Sequence, residues 1–369
     1  CRVKLAVFIF LVAMIGACGG EAKPATPTVT AVPSPVTQAT AAPTPDLAAT
    51  VTAAVATAMA MNAPAPTALP RPTATPVPTP RPTVVQMPQA TDVVPTVAFK
   101  PSLVERYEVS VEEAVVYGTG ETLDGGHVEL LLDLAIPDTG TDGPRPLLVH
   151  IHGGGFERGS RWTQWDVAKR GWVTASIDYR LAGDEPLPGS RVKRFFSAIG
   201  GESSSARHRS VVASVEDTLI ALDYLLSRAD ELNIDTDRIV LKGESAGAFT
   251  ALTVAYCADK LEISGPTIAA VIDFAGGISE TFCGGAAAID PGEAAVFIAH
   301  GTDDTVVSYD IRALSIVDGA AAAGITYELY PLEGVGHEWL LGMLGQTASD
   351  GRMISDLMYE FLNRVLYDE

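Results

Sequence analysis

Cysteine is scarce, with four in 369 residues. Cys1, Cys18, Cys257 and Cys283 include no C-x-x-C pair and fit no zinc-ligand spacing, so the chain offers no thiolate metal centre and no dithiol redox motif. Positive charge is also short. Twenty-five Lys and Arg stand against 45 Asp and Glu, for a net charge of -20. Phosphate backbones need a basic face, and nucleic acid is therefore excluded as a partner. Histidine is limited to six residues, which makes elimination practicable. The apolar run Leu5 to Ile15 is too short to span a bilayer comfortably. Internal repeats of the propeller kind are missing.

What is present falls into three composition zones: residues 1–18, 19–100 and 101–369. The first has Arg2 and Lys4 ahead of the apolar run, the pattern of an export signal. Ile15-Gly16-Ala17-Cys18 closes that run and resembles the lipobox of bacterial lipoproteins. The resemblance implies lipidation at Cys18, a lipid anchor in a membrane, and an exported protein held on the extracytoplasmic face. In the second zone, 17 of the 25 prolines lie between Pro24 and Pro101 among Thr, Ala and Val. Such a stretch forms no ladder and buries no core. It is expected to be a disordered, extended tether reaching about 250 Å at polyproline spacing. Leu47, Val51, Val55 and Met59 recur every four residues and predict one short, marginal helix within it.

The third zone is long enough for one substantial core. Strands are expected at Tyr107–Tyr117, Val128–Ile136, Leu147–Ile151, Val173–Ile177, Ile239–Leu241, Ala269–Phe274, Ala295–Ala299 and Thr326–Tyr330. Helices are expected at Val212–Leu232, Ala246–Ala258, Tyr309–Ala322 and Ser349–Leu366. Strands alternating with helices imply an α/β fold with a doubly wound, mainly parallel sheet, whose ligands bind beyond the carboxyl ends of the strands.

Three motifs sit at such ends. Gly243-Glu244-Ser245-Ala246-Gly247 joins a strand to a helix, and its spacing places Ser245 on a sharp turn as a nucleophile. His152-Gly153-Gly154-Gly155-Phe156 follows another strand, where bare glycine backbone exposes N–H groups. With the N–H of Ala246, those of this three-glycine loop are the candidate oxyanion hole. An activated serine also needs a base. His150 lies within a strand, His152 in the glycine loop, His127 before the core strands and His208 in a loop region, while His300 directly follows a strand. That leaves His337, in the loop Gly334-Val335-Gly336-His337-Glu338. Asp303 and Asp304 compete as the orienting carboxylate, and Asp273 falls inside a strand.

With His-Gly-Gly-Gly-Phe, Asp178-Tyr179-Arg180-Leu181, Gly-Glu-Ser-Ala-Gly and His300-Gly301-Thr302-Asp303-Asp304 in this order, residues 107–367 resemble the α/β-hydrolase fold, carboxylesterase and lipase branch. The resemblance places the acid on Asp304, with Val307 matching a family valine and Ser308 standing where the family usually has proline. It implies a Ser245–His337–Asp304 triad, an oxyanion hole of the N–H groups of Gly154, Gly155 and Ala246, an acyl-enzyme, a small-molecule ester substrate with either a small or a carbohydrate-linked acyl group, and no metal or organic cofactor. Two other readings share parts of the pattern: a serine peptidase of the prolyl-oligopeptidase type and a non-catalytic adhesion module.

Around the site, residues 181–211 read as a loop-rich insertion, either a lid or pocket wall or a solvated loop, with Arg191, Lys193, Arg194, Phe195 and Phe196 in it. Trp162, Trp165, Trp172 and Trp339 are candidate pocket residues. Cys257 and Cys283 remain after the signal and lipobox, and an exported domain favours a disulfide between them.

Overall fold

Strands covered on both faces have no reason to alternate polar and apolar residues. Arg145–Ile151 (β3) and Val173–Ile177 (β4) are buried at every position, as are the five residues of Ala270–Phe274 (β6). The structure is a computed structural model that describes residues 99–140 and 143–368. The export signal, the lipobox with Cys18 and the short helix expected around Leu47–Met59 lie outside the described residues.

Val109–Glu121 (β1) and His127–Pro137 (β2) form an antiparallel hairpin around Asp124-Gly125-Gly126, where Gly125 takes φ +82°. With Ile234–Glu244 (β5), Ala295–Gly301 (β7) and Tyr327–Leu332 (β8) they build one eight-stranded sheet in the order β1-β2-β4-β3-β5-β6-β7-β8. β2 pairs antiparallel with β4, and every later pairing is parallel. Four long helices cover the sheet: Ala206–Ser227 (α1), Ala246–Tyr256 (α2), Tyr309–Ala323 (α3) and Ile354–Tyr367 (α4).

The pleat sends alternate residues to opposite cores. Leu147, Val149 and Ile151 pack with Val212, Leu219 and Leu222 of α1 and Leu252 of α2. Leu148 instead joins Val240, Ile272 and Phe297 against Leu357, Met358 and Phe361 of α4, with Trp172 in the same cluster. Leu357, Phe361 and Leu362 recur at helical spacing, which is why α4 buries one stripe only.

Boundaries shift where caps decide them. α1 begins at Ala206, six residues earlier than periodicity predicts, because the Ser205 hydroxyl accepts from the His208 N–H (3.2 Å) and caps the helix. It ends at Ser227, and a separate turn at Ala229–Leu232 completes the expected span. α4 starts at Ile354, since Thr347 and Met353 bridge and hold Ser349 in a turn. The 181–211 segment is less irregular than its composition suggests. It carries a short helix at Lys193–Ala198 and the first turn of α1.

The Asp-Tyr-Arg-Leu segment is a brace. Buried Arg180 binds the carboxylates of Asp217 (2.6 Å) and Glu216 (2.7 Å) on α1 and the carbonyl of Glu121 at the end of β1 (3.0 Å). These contacts hold its guanidinium charged and lock α1 to the sheet.

Candidate active site

β5 must turn into α2 within a few atoms of β3. A Cβ on Gly243 would overlap the backbone of Gly247 and Ala248, and one on Gly247 would overlap the Ile151 carbonyl. Glycine at both positions is therefore what permits the turn. Ser245 at its apex adopts φ +50°, ψ -116°, held by its N–H on the Phe274 carbonyl (2.9 Å). A non-glycine residue in that region is strained, and here the strain projects one hydroxyl above the sheet.

The turns after β7 and β8 are tied together. Thr302 N–H donates to Leu332 O (3.0 Å), Asp303 N–H to Val335 O (3.1 Å) and Gly334 N–H to the Thr302 hydroxyl (2.9 Å). This pairing brings His337 over Asp304. Nδ1 of His337 lies 2.6 Å from Oδ2 of Asp304, and Nε2 lies 2.9 Å from Oγ of Ser245. A carboxylate only accepts, so Nδ1 carries the proton and Nε2 is free to take one from the serine. The other Asp304 oxygen accepts from the N–H groups of Val306 and Val307, both at 2.8 Å. Asp303, by contrast, is exposed. Ser308, in the place of the family's proline, caps α3 by accepting from Ile311 N–H (3.4 Å). Buried His300 donates Nε2–H to Val307 O (2.8 Å) and braces the same turn. Burial pushes its pKa down.

The glycine loop lies beside the serine. Gly154 and Gly155 take φ +108° and +68°, and among the described residues their N–H groups donate to no protein acceptor. Ala246 is the first residue of α2, where helix N–H groups have no intrahelical partner. The ring of His152 stiffens the loop from behind. It stacks on Tyr179 at 4.4 Å and donates Nδ1–H to Gly153 O (2.7 Å), and burial lowers its pKa. Tyr179 O–H in turn donates to the His152 carbonyl (3.1 Å).

Sequence reasoning set His150 aside as a strand residue, but its side chain belongs to a buried network under the elbow. Trp162 N–H donates to Ser176 Oγ (3.1 Å), Ser176 O–H to His150 Nδ1 (2.9 Å), and His150 Nε2–H to Glu244 (2.8 Å). Every link is satisfied by a neutral ring, the form that burial favours. Burial alone would raise the Glu244 carboxyl. The His150 contact and the Lys242 ammonium, 3.5 Å away, override that and hold it at about 2. The register of β3 against β5, which local spacing does not reveal, puts His150, Lys242 and Glu244 on one face of adjacent strands.

A cleft of about 1360 Å³ opens over Ser245 and His337. Its apolar walls include Val211 and Val215 of α1, Phe249 of α2, Phe282 and Ile311. Of the tryptophans, Trp162 lines it, Trp172 is core and Trp165 is exposed outside it. The Arg191 and Arg194 side chains do not reach it. Arg191 binds Asp223 and Ser264 O, and Arg194 binds Glu262, because these carboxylates stand on the outer surface beside them. Only the end of the 181–211 segment, Arg207 and Val211, forms cleft wall. Cys257, closing α2, is disulfide-bonded to Cys283, which fixes the neighbouring Phe282 in the wall. Among the described residues no cluster of metal-ligating side chains occurs.

The strand order and the strained serine turn are those of the α/β-hydrolase fold, and the hydrogen-bonded line of hydroxyl, imidazole and carboxylate has the arrangement of a Ser-His-Asp triad. The family model BD-FAE matches residues 132–192 and 190–281. Carboxylesterase NlhH of Mycobacterium tuberculosis is 30% identical over 128 residues, 33% of this chain and 32% of the relative. Lipase 2 of a Moraxella species is 29% identical over 113 residues, 29% of this chain and 21% of the relative. The chain thus spans about a third or less of the length of these curated relatives. A propionate-bound esterase structure from Thermogutta terrifontis superposes with a TM-score of 0.50 at 23% identity, covering 72% of this chain and 97% of that one, and shares the fold. The chain thus has the α/β-hydrolase fold, and the curated relatives that it resembles over part of its length include a carboxylesterase and a lipase.

Proposed function

We propose that the protein hydrolyses carboxylic esters through an acyl-enzyme on Ser245, acting on small or carbohydrate-linked acyl groups. The observation that carries this reading is the continuous line from Asp304 through His337 to Ser245, at 2.6 and 2.9 Å, opening into an apolar-walled cleft. Ser245 Oγ attacks the ester carbonyl as its proton passes to Nε2 of His337, and Asp304 stabilises the imidazolium. The carbonyl oxygen, now negative, accepts from the N–H groups of Gly154, Gly155 and Ala246. Each such donor is worth about two to three orders of magnitude in rate. His337 then returns the proton to the leaving alcohol, and water, deprotonated by the same imidazole, releases the acid.

The setting in which this chemistry operates is part of the proposal: export, lipidation at Cys18 and a proline-rich tether that holds the hydrolase off a membrane surface. A Cys18→Ala chain should leave the membrane fraction and lose incorporation of labelled fatty acid, and retention of both would remove the anchor from the account.

A panel of aryl esters from acetate to palmitate, with acetylated sugars, tests the activity. Ser245→Ala should lower the rate by about six orders of magnitude if the three side chains act as a unit. An undiminished rate in that variant overturns the assignment.

A further inference from the structure

Arginines on this acidic domain are as a rule matched with carboxylates. Arg161 binds Asp133 and Asp178, Arg180 binds Asp217, Arg228 binds Glu231, and Arg352 binds Glu360. Three arginines in the cleft depart from this. Arg158, Arg207 and Arg312 all line it, and among the described residues none has a carboxylate oxygen within 4.0 Å. In a chain of net charge -20 this is a local inversion of sign.

Their placement is built by the fold. Arg158 follows the oxyanion loop with its stem across Gly154, where an added Cβ would stand 3.2 Å from its Cγ. Arg207, in the first turn of α1, donates Nε–H to Gly155 O (3.0 Å), which anchors one edge of the guanidinium and leaves its Nη groups available. Arg207, Val211 and Val215 form one stripe of α1 along the wall. Arg312 stands on the α3 side, over the Phe249 ring at 5.8 Å and donating to Ile278 O (3.3 Å). Two carboxylates also line the cleft. Glu244 is already engaged by His150 and Lys242, and Glu157 is exposed with no cation bound. Positive charge therefore prevails on both sides of Ser245.

We infer that the preferred substrates are esters carrying a carboxylate near the scissile bond, recognised by Arg158, Arg207 and Arg312. A guanidinium fork matches the planar, two-oxygen carboxylate, and of the three only Arg312 is half-buried, so its pairing is the least screened while Arg158 and Arg207 are exposed. The neighbouring apolar wall of Val211, Val215 and Phe282 takes the uncharged part of the molecule. This inference rests on the ester-hydrolase reading and narrows it to a substrate class.

Two matched pairs test it, one with the charge on the alcohol side and one with it on the acyl side: 4-acetoxybenzoate against 4-acetoxybenzamide, and mono-4-nitrophenyl adipate against 4-nitrophenyl hexanoate. In the full protein at low ionic strength, the anionic member of at least one pair should show a kcat/KM about ten-fold higher, carried by KM. Salt should reduce that ratio. Arg207→Gln and, separately, the double variant Arg158→Gln/Arg312→Gln should each bring the ratio of anionic to neutral kcat/KM down about ten-fold. The double variant leaves the Gly155 contact intact, so its result does not depend on the loop's shape. Hydrolysis of the neutral esters with no anionic preference in either pair, or a preference that survives both variants, overturns the inference and leaves the ester-hydrolase reading standing. No hydrolysis of any of the four esters overturns both.

Discussion

Asp304 divides its two oxygens between two tasks: Oδ1 accepts from the backbone of Val306 and Val307, and Oδ2 lies 2.6 Å from Nδ1 of His337. The first task fixes the carboxylate in the turn after β7, and the second fixes the tautomer of the imidazole. Asp304→Asn keeps the turn contacts through its amide oxygen but presents an N–H to Nδ1 and favours the wrong tautomer. The expected loss is about four orders of magnitude in kcat with an unchanged fold. Asp303→Asn, one residue away and exposed, should stay within about two-fold of wild type. Steady-state kinetics of the two variants side by side check the assignment, and equal losses would contradict it.

Asp273 is fully buried on β6, with Oδ1 accepting from Gly276 N–H (2.7 Å) and Oδ2 without a hydrogen-bond partner among the described residues. Burial pushes its pKa up to about 7 from 3.8. The unfolded chain releases this proton near pH 4 and the folded chain holds it until about pH 7. Stability therefore falls as pH rises through that window and levels off above it. Asp273→Asn keeps the Gly276 contact and cannot ionise. It should be more stable than wild type by a few kcal/mol at pH 8, with the advantage shrinking towards pH 5. Thermal unfolding at the two pH values measures this, and a pH-independent difference would contradict it.

The Cys257–Cys283 bridge joins the end of α2 to the segment carrying Phe282, across 26 residues of sequence. Reduction, or Cys257→Ala with Cys283→Ala, should cost about 3 kcal/mol in the chain-entropy account. It should also raise KM for longer acyl esters more than for acetate, because Phe282 is released from the cleft wall. Thiol labelling without reductant should find neither cysteine; full labelling would remove the bridge from the account.

Much of this arrangement is legible in the residues. Continuous apolar runs such as Ile239–Leu241 mark strands covered on both faces, and the glycines around Ser245 and after His152 mark turns where a Cβ has no room. The start of α1 was hidden because Ser205 sets it through a cap, not through periodicity. The cleft arginines were hidden for a different reason. Arg158, Arg207 and Arg312 are 49 and 105 positions apart in sequence. Only the packing of α1 and α3 around the elbow separates them from Arg191 and Arg194, which reach carboxylates on the outside. The buried pair of His150 and Glu244 depends likewise on the register of β3 against β5, a long-range feature that local pattern does not encode.

The most direct measurement of the central claim is covalent titration with diethyl 4-nitrophenyl phosphate, followed by peptide mapping of the modified chain. One equivalent of 4-nitrophenolate should be released as esterase activity disappears, with the diethylphosphoryl group on Ser245, and His337→Ala should slow the reaction by several orders of magnitude. Full loss of activity with the label on another residue, or an active protein that leaves Ser245 unmodified, would contradict the account.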